Sequence, residues 1–390
     1  MLSKEIRSRI SSELEHLRKE SQFRTLEIPR GINLCSNDYL ALSDDPRLKC
    51  AVIEAVSAGE SVGSTGPRLL SGHSLEWEKL ESDFAAFAGA ESALYFNSGY
   101  AANVGLLSSV LRPGDVVFSD ALNHASLIDG IRLSGARKVI YPHCDLKFLE
   151  NALRENSASD GVKVIVTESV FSMEGDVAPL AGLLHLAKTY GAELILDEAH
   201  ATGVCGPQGR GIAVDLHCEH GILAVVHTCG KALASLGAFV CCHLALKDFL
   251  INRARTFIFS TAAPPYMARQ ISAALSLATA EDNRRAHLRE VSALLRAGLA
   301  AAGFSCGSSS THIIPVILGS NENALRVATH LQASGFAVKA IRPPTVPPGT
   351  ARIRFSLTSR VTREDVDRLV RAMHSANQLP QHASSIAANA

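Results

Sequence analysis

The chain has 390 residues, 47% of them hydrophobic, and its 38 basic and 38 acidic side chains leave no formal net charge. That is ample for a large core spread over two or three domains, and there is no basic excess of the kind that binds nucleic acid or an anionic membrane. The nine cysteines stand singly apart from Cys241-Cys242, with no CxxC and no zinc-spaced His/Cys cluster, so they read as reduced thiols of a cytoplasmic protein and not as a disulfide framework.

The first segment, "MLSKEIRSRISSELEHLRKE", is charged and helical in pattern and lacks the apolar core of a signal peptide. No uncharged run of about 20 apolar residues is present to span a bilayer. Short apolar, β-branched runs then alternate with helical patterns. Strands are expected at Ala93–Phe96, Val116–Ser119, Val139–Pro142, Val164–Thr167, Leu194–Asp197, Ala224–His227 and Ala238–Cys242, and helices at Tyr100–Leu111, His124–Leu133, Leu146–Glu155 and Leu180–Tyr190. Such alternation predicts an α/β domain with a mostly parallel sheet of seven strands covered on both faces. The last two runs lie close together, which makes one of them a candidate antiparallel edge strand.

From about residue 281 the texture changes. "EDNRRAHLREVSALLRAGLAAAG" reads as a long amphipathic helix, and "IIPVILG", "FAVKAIRP" and "ARIRFSL" as strands. "TREDVDRLVRAMHSA" opens with Thr362 and Asp365 in a capping-box pattern. The expected organisation is an N-terminal helix and segment (1–48), a large α/β domain (49–280), a smaller C-terminal α+β domain (281–376) and a disordered, small and polar tail (377–390).

Parallel sheets bind ligands outside the carboxyl ends of their strands, so the residues just after each strand carry the functional argument. They are "NSGYAAN", "DALNHASL", "ESVFSMEGD", "DEAHATG" and "HTCGK". Ser98, Gly99 and Tyr100 open a helix directly after a strand, where free N–H groups and the helix dipole suit a phosphate; an ordinary serine cap would look the same. Asp197 ends a strand in "ILDEAH", where a buried carboxylate needs a partner. A protonated ring nitrogen would serve, as would a neighbouring loop, whereas a metal site with His200 lacks an evident third ligand. His124 starts a helix and could stack on a planar ring or simply cap. Ser172 can donate a hydrogen bond or belong to a turn. Lys231 sits in "HTCGKALASLGAFV" among small and apolar residues with Thr228 three positions before it, and desolvation makes such an amine nucleophilic. Taken together, Lys231 as the imine-forming amine, Asp197 and a Gly99 phosphate loop suit pyridoxal phosphate. A hydrolase reading finds no G-x-S-x-G elbow.

At this point the chain resembles the α-oxoamine synthases, on "GSTGPRLLSGH", "LNHASLIDG", "VFSMEGDVAPL", "DEAHATGVCGPQGRG", "HTCGKALAS", "STAAPP" and "IRPPTVPPGTAR". The resemblance runs from residue 34 to 358. It implies the aminotransferase-like, pyridoxal-phosphate-dependent fold type I and a homodimer with shared sites. The "RPPTVP" motif favours the branch that joins L-alanine to a pimeloyl thioester with loss of carbon dioxide, the acyl group carried on coenzyme A or an acyl carrier protein. The resemblance further implies that Lys231 binds the cofactor covalently and removes the substrate's α-proton, that Asp197 pairs with the pyridine nitrogen, and that His124 stacks over the ring. It puts Ser172 and His200 near the phenolic oxygen, and Gly99, Tyr100 and Thr228 at the phosphate. Arg24 and Thr345 match substrate-contacting positions, Ser260 and Thr261 a stretch reaching the neighbouring subunit's cofactor. Arg354, in "ARIRF", is a candidate carboxylate clamp, and a surface strand residue otherwise. Two departures stand out: a short segment between Arg24 and "LCSNDYL", and Cys229 where the family carries an aromatic. A glycine-using relative and a non-catalytic protein on the same fold are the rival readings, the second opposed by the intact Lys231, Asp197 and His124.

Overall fold

In the computed structural model, which describes residues 3–378, the chain divides into two compact units. One comprises Asn37–Ser172 and Val177–Ala286. The other comprises the remaining described residues, 3–36, 173–176 and 287–378, so the N-terminal segment groups with the C-terminal part of the chain. Most of the tail expected at 377–390 lies outside the described residues.

The strands in chain order are β1 (Ile32–Asn33), β2 (Ser92–Phe96), β3 (Val116–Asp120), β4 (Arg137–Tyr141), β5 (Lys163–Glu168), β6 (Ala192–Asp197), β7 (Ala224–Thr228), β8 (Ala238–Cys242), β9 (Ile313–Gly319), β10 (Phe336–Ala337), β11 (Ala340–Ile341) and β12 (Ala351–Ser356). The first unit is built on a seven-stranded sheet of order β2-β8-β7-β6-β5-β3-β4. Its interior strands are apolar on both faces ("KVIVTE", "AELILD", "AVVHT"), as a sheet sandwiched between helices requires. Leu94, Val117, Val164, Val166, Ile195 and Val226 belong to one buried cluster with Leu106, Leu107 and Leu127 from the helices Gly99–Val110 and Ala125–Ser134. Strand β8 is antiparallel to both β7 and β2. The antiparallel strand expected from the sequence is therefore present, but it lies inside the sheet, because β2, from the start of the domain, pairs along its far side.

The parallel strands bring their carboxyl ends to one edge. Register places Glu168, the last residue of β5, beside Asp197, the last of β6, and Asp197 beside Val226 of β7. Helices begin just beyond these ends: Gly99–Val110 after β2, with Ser98 as its cap, and Ala125–Ser134 after β3, with His124 as its cap.

In the second unit β9, β11 and β12 form an antiparallel sheet, and β1 pairs in parallel with β10. "FAVKAIRP" is thus two short strands, β10 and β11, in different sheets. Thr362 and Asp365 cap the helix Arg363–Asn377 reciprocally, as the sequence pattern predicts.

Candidate active site

The carboxyl edge of the seven-stranded sheet holds a cavity of about 310 Å³, within the range of small-molecule sites. It is lined by residues from six separate stretches of sequence, among them Gly99, Tyr100, His124, Asp197, His200, Thr228 and Lys231. Seven candidates chosen from sequence therefore meet in one place.

Gly99 opens its helix with the Ser98 hydroxyl accepting from the Ala101 amide at 3.0 Å. A Cβ on Gly99 would stand 2.7 Å from Thr228 Cγ2, closer than side chains pack, so glycine is required by the approach of Thr228. The hydroxyl of Thr228 is anchored to the Ala199 carbonyl at 3.2 Å. Tyr100 is hydrogen-bonded to Asp129 and meets the His124 ring edge-on at 6.5 Å.

Asp197 is almost fully buried and takes one hydrogen bond on each oxygen, from the Ala199 amide at 2.8 Å and from Asn103 Nδ2 at 2.7 Å. Asn103 Nδ2 also donates to Ser126 Oγ at 3.0 Å, and Ser126 Oγ lies 2.8 Å from His124 Nδ1. The Ser126 amide donates to that same Nδ1 at 3.2 Å, which makes Nδ1 an acceptor and leaves the ring proton on Nε2. Burial lowers the His124 pKa, against the pull of Asp197 and with the help of Lys231, so the ring is neutral at neutral pH. A neutral, tethered imidazole and a carboxylate with a donor on each oxygen thus share one chain of hydrogen bonds.

His200 Nδ1 lies 2.6 Å from the hydroxyl of the fully buried Tyr39, which donates to Asn37 Oδ1 at 3.1 Å. Lys231 follows β7, half-buried, with Cys229, Ala232 and Leu233 wholly buried around it in sequence.

Three residues essential to this geometry went unremarked in the sequence. Asn103, almost fully buried, is one helical turn beyond Gly99 in a helix otherwise made of small and apolar residues, and that isolation was its signal. Ser126 links it to His124. Glu168 ends β5 as Asp197 ends β6, and the strand-end argument applied to one applies to the other. It is 3% exposed, and its Oε1 has no hydrogen-bond partner among the described residues. Desolvation first, and then the Asp197 charge, raise its pKa well above the usual carboxylate range, opposed by Lys231 and by the amides of His124 and Ser172.

Other candidates lie elsewhere. Ser172 is buried and does not line the cavity itself, but its N–H is directed at Glu168, which does. Ser260 and Thr261 border a separate narrow cleft with Arg68 and Asn97, and Asn97 Nδ2 donates to the Thr261 carbonyl at 2.6 Å. In the other unit, Arg24 Nη2 donates to Thr345 Oγ1 at 3.3 Å, so the two substrate-facing candidates, 321 residues apart, touch each other. Arg354 is buried on β12, opposite Pro315 of β9, and is not a surface strand residue.

The donor set suits a planar, phosphorylated cationic ring. A helix start offers amides to an anion, the buried Asp197 carboxylate lines the cavity, and the buried Asn103 Oδ1 and Glu168 Oε1 lack partners among the described residues. This sheet and site define a pyridoxal-phosphate-dependent fold-type-I transferase, and residues 29–373 match the family model for aminotransferase class I and II, the family to which the chain belongs. A serine palmitoyltransferase from S. paucimobilis, solved with PLP and myriocin bound, superposes with a TM-score of 0.87 at 27% identity over 95% of this chain and 96% of that one.

Its curated relatives are more specific. The 8-amino-7-oxononanoate synthase of Geobacter sulfurreducens is 44% identical over 379 residues, covering 93% of this chain and 96% of that protein. The synthase of the same name from Azoarcus sp. is 47% identical over 340 residues, 87% of this chain and 86% of its own. A solved 8-amino-7-oxononanoate synthase from Francisella tularensis aligns at 29% identity with a TM-score of 0.77 over 89% of this chain and 98% of that one. Within the class, the chain is a member of the 8-amino-7-oxononanoate synthases.

Proposed function

We propose that this chain joins L-alanine to a pimeloyl thioester, releasing carbon dioxide and the free thiol, to give the 8-amino-7-oxononanoate used in biotin synthesis. The observation that carries this reading is the meeting of Lys231, Asp197, His124 and the Gly99 helix start in one cavity of a chain from this family. Pyridoxal phosphate supplies a sink for the electrons released at the alanine α-carbon.

The rest is the work of the chain. Lys231 would hold the cofactor through its amine and take the α-proton on Nζ. Asp197, hydrogen-bonded by Asn103 and the Ala199 amide, would hold the proton of the ring nitrogen. His124 covers the ring as a neutral imidazole. Ser172 and His200 face the phenolic oxygen, with His200 oriented by Tyr39. Amides at Gly99 and Tyr100, with the Thr228 hydroxyl, receive the phosphate. As the new carbon–carbon bond forms, the thioester C–S bond breaks and the thiolate leaves, taking a proton from solvent; the alanine carboxylate then leaves as carbon dioxide, and the α-carbon takes back the proton held on Lys231 Nζ. Arg24 and Thr345 contact the acyl substrate, and Arg354 clamps the amino-acid carboxylate.

The active form in this reading is a cytoplasmic homodimer. Ser260 and Thr261 border a separate cleft of their own chain, which fits a role at the neighbouring subunit's phosphate. No described helix is long and apolar enough to cross a membrane. The test is product formation from alanine with pimeloyl coenzyme A and with pimeloyl acyl carrier protein. Turnover with alanine and either donor is expected, and its absence with both refutes the reading. The TM-score of 0.87 to a serine palmitoyltransferase gives weight to a sibling activity with another amino acid or acyl group. Glycine with acetyl coenzyme A as the better pair would establish that alternative. Activity retained in full by a monomer at high dilution would remove the shared-site dimer.

A further inference from the structure

Two carboxylates end adjacent strands at the same cavity, and they are provided for unequally. Asp197 receives a donor on each oxygen. Glu168, its register neighbour, is equally buried, lines the same cavity, and keeps Oε1 without a hydrogen-bond partner among the described residues. Neighbouring strands run about 4.8 Å apart, so two negative charges there would repel at short range in a desolvated setting. The groups facing Glu168 are the Asp197 carboxylate on β6, the Lys231 ammonium after β7, and the backbone amides of His124 and Ser172. One ammonium facing two buried carboxylates balances one charge and leaves the other uncompensated.

We propose that Glu168 works as an uncharged carboxylic acid whose hydroxyl hydrogen-bonds an oxygen of the bound cofactor or its amino-acid adduct, while Asp197 alone carries the negative charge of the site. The proposal rests on the reading of this cavity as a pyridoxal phosphate site. A neutral acid there has two consequences. It donates a proton to an oxygen that an ionised carboxylate would repel, and it keeps a second anion away from a ligand that already brings a phosphate and a carboxylate. Glu168 is a positioning residue in this account: it aims the ring that Lys231 and Asp197 act upon.

The test uses the full-length chain and its Glu168→Gln and Glu168→Ala variants. Glutamine matches the neutral acid in shape and keeps a donor. Wild type and Glu168→Gln should bind pyridoxal phosphate within roughly threefold of each other by fluorescence titration. Glu168→Ala should bind about tenfold more weakly, the loss of about one net hydrogen bond. A second readout needs no ligand. Glu168 titrates at 4.5 when unfolded and at about 8 in place, so the folded chain holds a proton that the unfolded chain releases between these values. Wild type therefore loses stability across this window as pH rises, and glutamine does not. The Tm of Glu168→Gln should gain on wild type by several degrees from pH 5 to pH 8.5. A flat Tm offset overturns the proposal, as does Glu168→Gln binding as poorly as Glu168→Ala. A wild-type chain that takes up no pyridoxal phosphate refutes the cofactor reading itself, and with it the ligand half of the proposal.

Discussion

Gly99 and Thr228 offer a test of the phosphate end that turns on a single methyl group. Replacing Gly99 by alanine puts a Cβ 2.7 Å from Thr228 Cγ2, so the helix start or β7 must give by roughly 0.7 Å to reach an ordinary contact near 3.4 Å. Overpacking of this kind costs about 1–3 kcal/mol. Alanine also gains about 0.5–1 kcal/mol over glycine in a helix, so the clash should win, but narrowly. The larger effect falls on the cofactor, because the displaced backbone is the one proposed to hold the phosphate. Thr228→Ser removes the offending methyl and keeps the hydroxyl that anchors to the Ala199 carbonyl. In that background the nearest remaining Thr228 atom is Cβ, at 3.9 Å from the new methyl, and alanine should fit. A double-mutant cycle on pyridoxal phosphate affinity, measured by fluorescence titration, should give a coupling of about 1–3 kcal/mol, or roughly 5- to 150-fold in Kd. Urea midpoints on the same four proteins should couple with the same sign. Additivity within about 0.5 kcal/mol would show that Gly99 and Thr228 do not constrain each other at the phosphate.

Further outcomes follow from the same geometry. Lys231→Ala should abolish turnover and the covalent cofactor link, with a fall beyond the roughly 10²–10⁴-fold of a lost acid–base group; a variant within tenfold of wild type would remove Lys231 from the mechanism. Asp197→Asn should leave the fold intact and sharply slow deuterium exchange at the alanine α-carbon, whereas unchanged exchange would make Asp197 structural. Asn103→Ala strips one oxygen of a buried carboxylate of its donor and should cost about 1.5–3 kcal/mol in urea unfolding; a loss below about 0.5 kcal/mol would contradict the hydrogen-bond chain from Asp197 to His124.

Much of this was legible in the sequence, for a physical reason. Strands buried on both faces are spelled as uninterrupted apolar runs, so β3, β5, β6, β7 and β8 announced themselves, and so did the polar residues that follow them. Lys231 and Asp197 stood out as charges in apolar surroundings. What stayed hidden depends on contacts across long stretches of chain. That β8 lies inside the sheet follows from its pairing with β2, about 140 residues earlier, which no local pattern records. Asn103 looked like one polar residue in a helix until Asp197, 94 residues later, was found against it. Glu168 has unremarkable neighbours in sequence, "VTESV", and its significance comes from strand register with Asp197.

The same register explains why the site should be tied to the stability of the whole domain. Lys231, Asp197 and Glu168 surround a cavity at the edge of the core, and burying ionisable groups is unfavourable unless they are paired. The chain meets part of that demand itself: Asn103 and the Ala199 amide serve Asp197, and the amides of His124 and Ser172 serve Glu168. It leaves Asn103 Oδ1 and Glu168 Oε1 without protein partners. A ligand that supplies a ring cation, a phosphate and oxygens meets the rest, so binding and folding act on the same groups. Mass action alone adds about 4 kcal/mol at a ligand concentration a thousand times Kd. The sequence at this edge is thus a compromise. Its residues were not chosen to make the empty domain as stable as an apolar core would make it, and the strands that carry them are apolar everywhere else because they must hold these groups in place.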